Sequence, residues 1–168
     1  MQDVAGPARR FDEVVREHGA ALARLAAVYA AEPADRDDLL QEIWVALWRA
    51  LPRFRGECSL RTFVYRVGHN RGLTFRARQR RNPSAELPPT LADPRPGPDA
   101  ELARSRRHER LLDAVRRLPE PQRQAVTLSL EGLSHAEIAE VVGTTENNVA
   151  VRLSRGRAAL RELLEAGG

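Results

Sequence analysis

The stretch that decides the fold lies near the C-terminal end, where residues 133–153 read LSHAEIAEVVGTTENNVAVRL. Ser134 and Glu137 have the spacing of a capping box, in which each side chain bonds the backbone amide of the other residue at the start of a helix. Gly143 can adopt positive φ in a turn, and Thr145 can cap a second helix. Two short helices joined by a glycine turn predict a helix-turn-helix.

The second helix of this unit carries side chains suited to duplex DNA. Short polar side chains near its start and arginines further along suit entry into the major groove with flanking phosphate contacts. A plain helical hairpin with a solvated polar face is the alternative, and we favour DNA binding. Asn148 and Arg152 are the base-reading candidates, whereas Arg155 and Arg157 are more typical of phosphate contacts. The outer face of this helix comprises Thr145, Glu146, Asn147, Asn148, Arg152, Arg155 and Arg157.

A proline-rich stretch divides the rest of the chain. Six of the eleven prolines lie between Pro83 and Pro98, which predicts an extended linker because proline lacks the amide that helices need. Helical apolar spacing flanks this stretch, and strand-like alternation is absent. The predicted helices cover about residues 10–31, 35–50, 59–80 (with Gly72 bending or dividing it), 102–118, 122–130 and the helix-turn-helix. The predicted fold class is therefore all-α: two small helical domains, residues 1–81 and 104–168, joined by a flexible Pro-rich linker over residues 82–103.

Charge is distributed unevenly along the chain. All 27 basic residues are arginine, and the net charge is +4. Residues 49–81 hold ten arginines and one acid, which makes this block a candidate polyanion-binding surface. Aromatic side chains are interleaved with these arginines, and their faces can stack on unpaired bases. For Phe63 and Phe75, burial in the core and contact with a base remain equally open.

An acidic helix precedes the basic block and suggests a second, different partner. Asp37, Asp38 and Glu42 share a predicted helix with Trp44. Carboxylates beside a large aromatic side chain form a reasonable docking surface for a basic protein. From spacing alone, helix capping by the two aspartates and core packing of Trp44 are the favoured interpretation.

Other classes of protein are excluded by simple features of the sequence. No apolar run reaches the ~18–20 residues needed to span a bilayer, and no secretory signal follows Met1, so we expect a cytoplasmic protein. The lone Cys58 excludes an internal disulfide framework and a cysteine-based zinc cluster. The four histidines are scattered, and no acid/base pair stands out. We therefore predict no catalytic residue, no metal, no cofactor and no small-molecule substrate.

Five motifs, in this order, make the chain resemble the extracytoplasmic-function (ECF) sigma factors, the smallest type within the sigma-70 family of bacterial transcription initiation factors. The resemblance covers about residues 11–164. The motifs are DDLLQEIW at 37–44, FRGE at 54–57, TFVYRVGHNR at 62–71, LPEPQR at 118–123 and GLSHAEIAEVVG at 132–143.

The resemblance implies roles for three sets of residues, and it implies core RNA polymerase and promoter DNA as partners. Polymerase contacts would involve the clamp helices of the largest catalytic subunit and the flap of the second. The resemblance assigns Asp37, Asp38, Gln41, Glu42 and Trp44 to polymerase binding. It assigns Arg53, Phe54, Arg61, Phe63, Arg66, Asn70 and Arg71 to the minus-ten element. It assigns Arg123, Thr145, Glu146, Asn147, Asn148, Arg152 and Arg155 to the minus-thirty-five element.

The resemblance also implies an anti-sigma factor, which could hold the chain at the membrane. The sequence departs from the family at Ala150, Val151 and Phe63, where Lys or Arg, Ser and Trp respectively are common, so some expected DNA contacts are missing. A stand-alone helix-turn-helix regulator is the alternative function, but it leaves the basic aromatic block and the linker unexplained. A small nuclease is disfavoured because the sequence lacks a metal-carboxylate or histidine cluster.

Overall fold

Helices account for most of the residues that the computed structural model describes, which are residues 5–82 and 99–167. Apolar side chains recur at helical spacing in both segments, so each helix has one face to bury. Neither segment contains a strand, and the predicted all-α class is confirmed. The elements are α1 (Ala5–Tyr29), α2 (Pro33–Ala50), a 3-10 turn (Leu51–Arg53), α3 (Leu60–Arg81), α4 (Asp99–Arg117), α5 (Glu120–Leu130), α6 (His135–Val142) and α7 (Glu146–Ala166).

Helices α1, α2 and α3 pack together as an N-terminal lobe. Leu39, Ile43 and Leu47 of α2 are fully buried there. Helix α3 passes so close to α1 that a Cβ atom on Gly72 would overlap the ring of Tyr29. Helix α3 runs without a break through Gly72, so the predicted division is absent, whereas the predicted bend stays a prediction. The glycine serves the close approach of two helices rather than a break in one of them.

Helices α4, α5, α6 and α7 form a C-terminal lobe around buried side chains such as Leu128, Ile138 and Leu153. Helix α4 begins at Asp99, inside the range predicted as linker. Residues 83–98, which hold the six prolines of the predicted linker, lie outside the described residues. The proposed boundaries at residues 82 and 103 therefore stay a prediction.

The two lobes contact each other through α1 with α4 and through α3 with α6. Buried apolar side chains of both lobes join into one hydrophobic cluster, with Val28 contributed by α1 and Val115 by α4. The sequence predicted two helical units but not that they pack against each other. This contact determines which of the predicted functional residues are accessible.

Candidate nucleic-acid and polymerase interfaces

The predicted helix-turn-helix is present with the predicted caps. The Ser134 hydroxyl accepts from the Glu137 amide at 3.2 Å, and the Glu137 carboxylate accepts from the Ser134 amide at 2.8 Å. Gly143 has φ of 72°, in the left-handed region that favours glycine, and so it lets the chain turn into α7. Thr145 caps α7 by accepting from the Asn148 amide at 3.2 Å. These local bonds set where α6 begins and ends and where α7 begins.

The outer face of α7 is accessible at its start. Thr145, Glu146, Asn147 and Asn148 are exposed, and Arg152 is half-buried one turn after Asn148. The side-chain Nδ2 of Asn148 donates to the Thr144 hydroxyl at 3.1 Å. This bond orients the Asn148 side chain across the first turn. The inner face carries Val149 and Leu153, both buried as predicted. The inner and outer faces therefore divide the helix into a packed side and a polar side.

The predicted polymerase-binding side chains of α2 converge on one place. Asp37, Asp38, Gln41 and Trp44, together with Leu40, line a surface depression of about 330 Å³. The fifth predicted residue, Glu42, lies apart from these and forms an ion pair with Arg78 of α3 at 2.6 Å. Trp44 is half-buried and packs edge-on against Phe11 with a centroid separation of 5.9 Å. One face of α2 thus presents acids around a tryptophan that the core holds in place.

Aromatic side chains of the basic block fall into two groups. Phe54 and Phe63 are half-buried, and their rings pack against each other with centroids 4.7 Å apart. Tyr65 and Phe75 are buried in the core, which decides the open alternative for Phe75 in favour of burial. Phe54 and Phe63 are therefore the aromatic side chains of this block that remain partly accessible. Arg53, Asn70 and Arg71 are exposed.

Three arginines cross between the lobes and donate to backbone carbonyls at the ends of helices. Arg61 donates to Glu131 O at 3.0 Å, and Arg66 donates to Glu140 O at 3.2 Å. In the opposite direction, Arg116 of α4 donates twice to Ala27 O in the last turn of α1, at 2.7 and 3.0 Å. Carbonyls in the last turn of a helix lack intrahelical partners and lie at the negative end of the helix dipole, so a guanidinium group suits them.

A two-pronged ion pair adds to this contact. The Arg24 guanidinium donates to both carboxylate oxygens of Glu131 at 2.7 and 2.8 Å. This pairing raises the pKa of Arg24. The bonds to Glu131 O and Glu140 O also involve two arginines that are predicted to contact the minus-ten element. Arg61 and Arg66 are thus hydrogen-bonded to the C-terminal lobe in this conformation.

Arg123, which the resemblance assigns to the minus-thirty-five element, is buried between the lobes with 2 % of its surface exposed. One nitrogen donates to the carbonyls of Arg116 and Leu118 at 3.1 and 3.3 Å. The Nε and Nη2 atoms have no hydrogen-bond partner, and the nearest carboxylate, that of Glu120, is 3.6 Å from Nη2. Burial, and then the positive charge of Arg76, lower the pKa of this guanidinium. A phosphate could reach Arg123 only after the lobes move apart.

His69 is a buried histidine of the N-terminal lobe, and the sequence predicted no role for it. His69 is 2 % exposed, and its Nδ1 lies 2.7 Å from the hydroxyl of Tyr29, which donates to it when the ring is neutral. Burial lowers the pKa of His69 to about 4. Because the motif around it signals only a helix, the partner on α1 was not evident from the sequence.

This histidine predicts a pH-dependent stability. An unfolded chain takes up the proton near the ordinary pKa of 6.5, but the folded chain takes it up only near 4, so stability falls as pH drops through this window. We expect the free energy of unfolding to fall by about 2 kcal/mol between pH 7.5 and pH 5 from His69. Urea unfolding of the His69→Gln variant should show a smaller pH dependence than the wild type. The exposed His135→Asn variant is the control, and an undiminished pH dependence in His69→Gln would contradict the assignment.

The described residues contain no cluster of metal ligands. Within residues 5–82 and 99–167, no three His, Cys, Asp or Glu side chains are placed to hold a metal ion. Cys58 is a half-buried free thiol. Among the described helices, none combines the length and the apolar character needed to cross a bilayer.

Comparison with known proteins accounts for this arrangement of helices. Residues 14–82 match the family model for sigma-70 region 2, and residues 108–160 match the model for sigma-70 region 4. The RNA polymerase sigma factor CnrH of Cupriavidus metallidurans is 31% identical, over 98% of this chain and 92% of that protein. The ECF RNA polymerase sigma factor SigM of Mycobacterium tuberculosis is 32% identical, over 96% of this chain and 80% of that protein. This chain belongs to the ECF group of the sigma-70 family.

Solved structures agree with this assignment. CnrH in complex with the cytosolic domain of CnrY superposes with a TM-score of 0.70 at 28% identity, covering 95% of this chain and 90% of that one. The sigma factor RpoE in complex with the anti-sigma factor NepR from Bartonella quintana shares the fold, with a TM-score of 0.74 at 21% identity, covering 94% of this chain and 98% of that one. This sigma factor binds core RNA polymerase and promoter DNA and directs initiation as an alternative sigma factor. A stand-alone regulator is not favoured, because both sigma regions occur in one chain.

Proposed function

We propose that this sigma factor docks on the clamp helices of core polymerase through the depression on α2, and on the flap through the C-terminal lobe. The observation that carries this proposal is the convergence of Asp37, Asp38, Gln41 and Trp44 around one depression of about 330 Å³. Acids around a partly accessible tryptophan match the anatomy of an interface hot spot that is steered by charge.

For promoter recognition, we propose a separate surface on each lobe. The exposed residues Arg53, Asn70 and Arg71, with the half-buried Phe54 and Phe63, support contact with the opened minus-ten strand, since arginines follow a backbone and aromatic faces stack on bases. The exposed start of α7 supports reading of the minus-thirty-five duplex, with Asn148 and Arg152 at base edges and Arg155 at a phosphate. Energy for strand separation then comes from binding, without a catalytic step of its own.

The packing of the lobes adds a requirement to this proposal. Arg61 and Arg66 donate to carbonyls of the C-terminal lobe, and Arg123 is buried against the N-terminal lobe. Arg123 can contact DNA only if the lobes separate, and Arg61 and Arg66 must first give up their bonds to the other lobe. The interface between them is rich in arginine-to-carbonyl bonds, which water and phosphate can replace, so separation is a reasonable step on joining the polymerase.

Location and regulation are also proposed from the relatives. We propose that the factor works in the cytoplasm, where core polymerase acts, and that an anti-sigma factor controls it. The structure of the RpoE relative with its anti-sigma factor NepR supports this idea.

A run-off transcription assay with purified core polymerase tests the proposed function. We expect transcription from a defined start site only when core polymerase and this chain are both present. The Arg152→Ala variant should lose about 1–3 kcal/mol of selectivity for its minus-thirty-five sequence if Arg152 reads a base. Arg161→Ala, an exposed change near the other end of α7, is the matched control. Tight promoter binding without polymerase, and no effect on start sites, would contradict the proposal.

A further inference from the structure

A cleft at the junction of the two lobes has walls from both of them. It has a volume of about 370 Å³ and is lined by Tyr29 and Ala31 at the end of α1, Arg76, Gln79 and Arg80 of α3, and Arg116 of α4. None of the cleft residues belongs to the predicted polymerase or promoter surfaces. Binding of polymerase and of promoter DNA therefore does not account for this cleft.

Positive charge is concentrated around this cleft. The Nη2 atoms of Arg80 and Arg123 both approach the same carboxylate oxygen of Glu120, at 3.5 and 3.6 Å, so the two nitrogens are no more than about 7 Å apart. One carboxylate oxygen thus lies near two guanidinium groups, at distances longer than those of a good hydrogen bond. Arg123 is almost fully buried beside the cleft, with two nitrogens that lack a hydrogen-bond partner.

The charges near the cleft do not cancel. Arg76, Arg80, Arg116 and Arg123 carry four positive charges. Glu120 and Asp113, the latter paired with Arg116 at 2.6 Å, carry two negative charges. Arg36 adds one positive charge nearby, and Asp35 and Glu109 add two negative charges. The pKa values of Arg76, Arg116 and Arg123 are each lowered, mainly by burial and then by a neighbouring arginine. A net charge of about +1 in a partly desolvated cleft favours an anionic ligand.

We propose that this cleft is a binding site for a small phosphate-bearing anion that bridges the two lobes. Planar guanidinium groups bind phosphate oxygens in pairs, and the cleft is lined by Arg76 and Arg80 of α3 and by Arg116 of α4, so both lobes contribute. Since the site exists only when the lobes are packed together, its ligand stabilises the closed arrangement by mass action. That a stabilised closed arrangement opposes promoter binding rests on the function proposed above, but the binding of the anion does not.

Isothermal titration of the isolated full-length chain with inorganic pyrophosphate tests the site, with sodium chloride at matched ionic strength as the reference. We expect saturable binding and a raised midpoint of thermal unfolding. The Arg76→Gln/Arg80→Gln double variant should bind at least about tenfold more weakly, because two charge-assisted contacts are lost. The Arg104→Gln/Arg107→Gln variant, which changes two exposed arginines of α4 by the same total charge, should bind as the wild type does.

The source of the phosphate group is distinguished by a parallel titration with ADP. Equal affinity for ADP and pyrophosphate assigns the site to free phosphate groups, and tighter binding of ADP assigns it to a nucleotide; both results support the site. Binding of neither probe by the wild type, or equal weakening in the two double variants, would overturn it. If the Arg76→Gln/Arg80→Gln variant fails to fold, the single Arg80→Gln change at a largely exposed side chain serves in its place. These titrations contain no polymerase, so their failure is distinct from failure of the run-off assay.

Discussion

Replacing Asp37 and Asp38 together with arginine is expected to abolish association with core RNA polymerase while leaving the helices intact. Both carboxylates are exposed on α2 and border the depression around Trp44. Reversing two charges opposes the steering and pairing that a complementary basic surface supplies, and like charges across an interface cost several kcal/mol. We therefore expect binding to weaken by at least about a hundredfold.

Co-purification with core polymerase and a binding titration measure this effect. Glu13→Arg/Glu17→Arg, which reverses two exposed acids of α1 in the same lobe, is the matched control and should bind normally. Circular dichroism of both variants reports whether the helices remain. Normal binding by the Asp37→Arg/Asp38→Arg variant, or the same loss in the α1 control, would refute docking through α2.

The second expected result is a large fall in fluorescence energy transfer between labels on the two lobes. It should occur when the factor joins core polymerase and promoter DNA. In this structure Arg61, Arg66 and Arg116 connect the lobes, and Arg24 forms a two-pronged pair with Glu131. Use of the buried Arg123 on the minus-thirty-five element requires the lobes to separate, and use of Arg61 and Arg66 on the minus-ten strand breaks their bonds across the interface. The distance between lobes should therefore increase sharply in the complex.

Fluorescent labels at exposed positions on each lobe make this measurement possible. The lone cysteine is first changed by Cys58→Ser, and labels are then attached through Arg16→Cys on α1 and Glu162→Cys on α7. Promoter DNA without polymerase is the control and should leave energy transfer high. Unchanged transfer in the transcribing complex would show that the lobes stay packed, and this result would contradict a role of Arg123 at DNA.

The helix-turn-helix shows what local sequence can establish. The Ser134–Glu137 capping box, the positive φ of Gly143 and the Thr145 cap all involve residues within a few positions of one another. Such signals depend on backbone chemistry that neighbours supply, so they can be read without the fold. The third predicted helix begins at residue 59, and in the structure the Ser59 hydroxyl caps α3 there by accepting from the Thr62 amide.

Glycine at position 72 shows where that reasoning fails. Within α3 it signals a weak point, and the sequence predicted a bend or a break there. The position requires glycine because the ring of Tyr29, which lies more than forty positions earlier in the chain, leaves no room for a Cβ atom. His69 is similar, since its hydrogen-bond partner is also Tyr29.

The sequence by itself determined the helices, the two helical units, the family motifs and the polar faces of α2 and α7, because each depends on periodicity or on contacts within a few residues. Only the tertiary structure decided that the lobes pack together, that Arg61 and Arg66 bond carbonyls of the other lobe, and that Arg123 is buried beside an arginine-lined cleft. The physical reason is that a helix end leaves its last carbonyls without partners, and which distant arginine reaches them depends on how the helices are arranged in space.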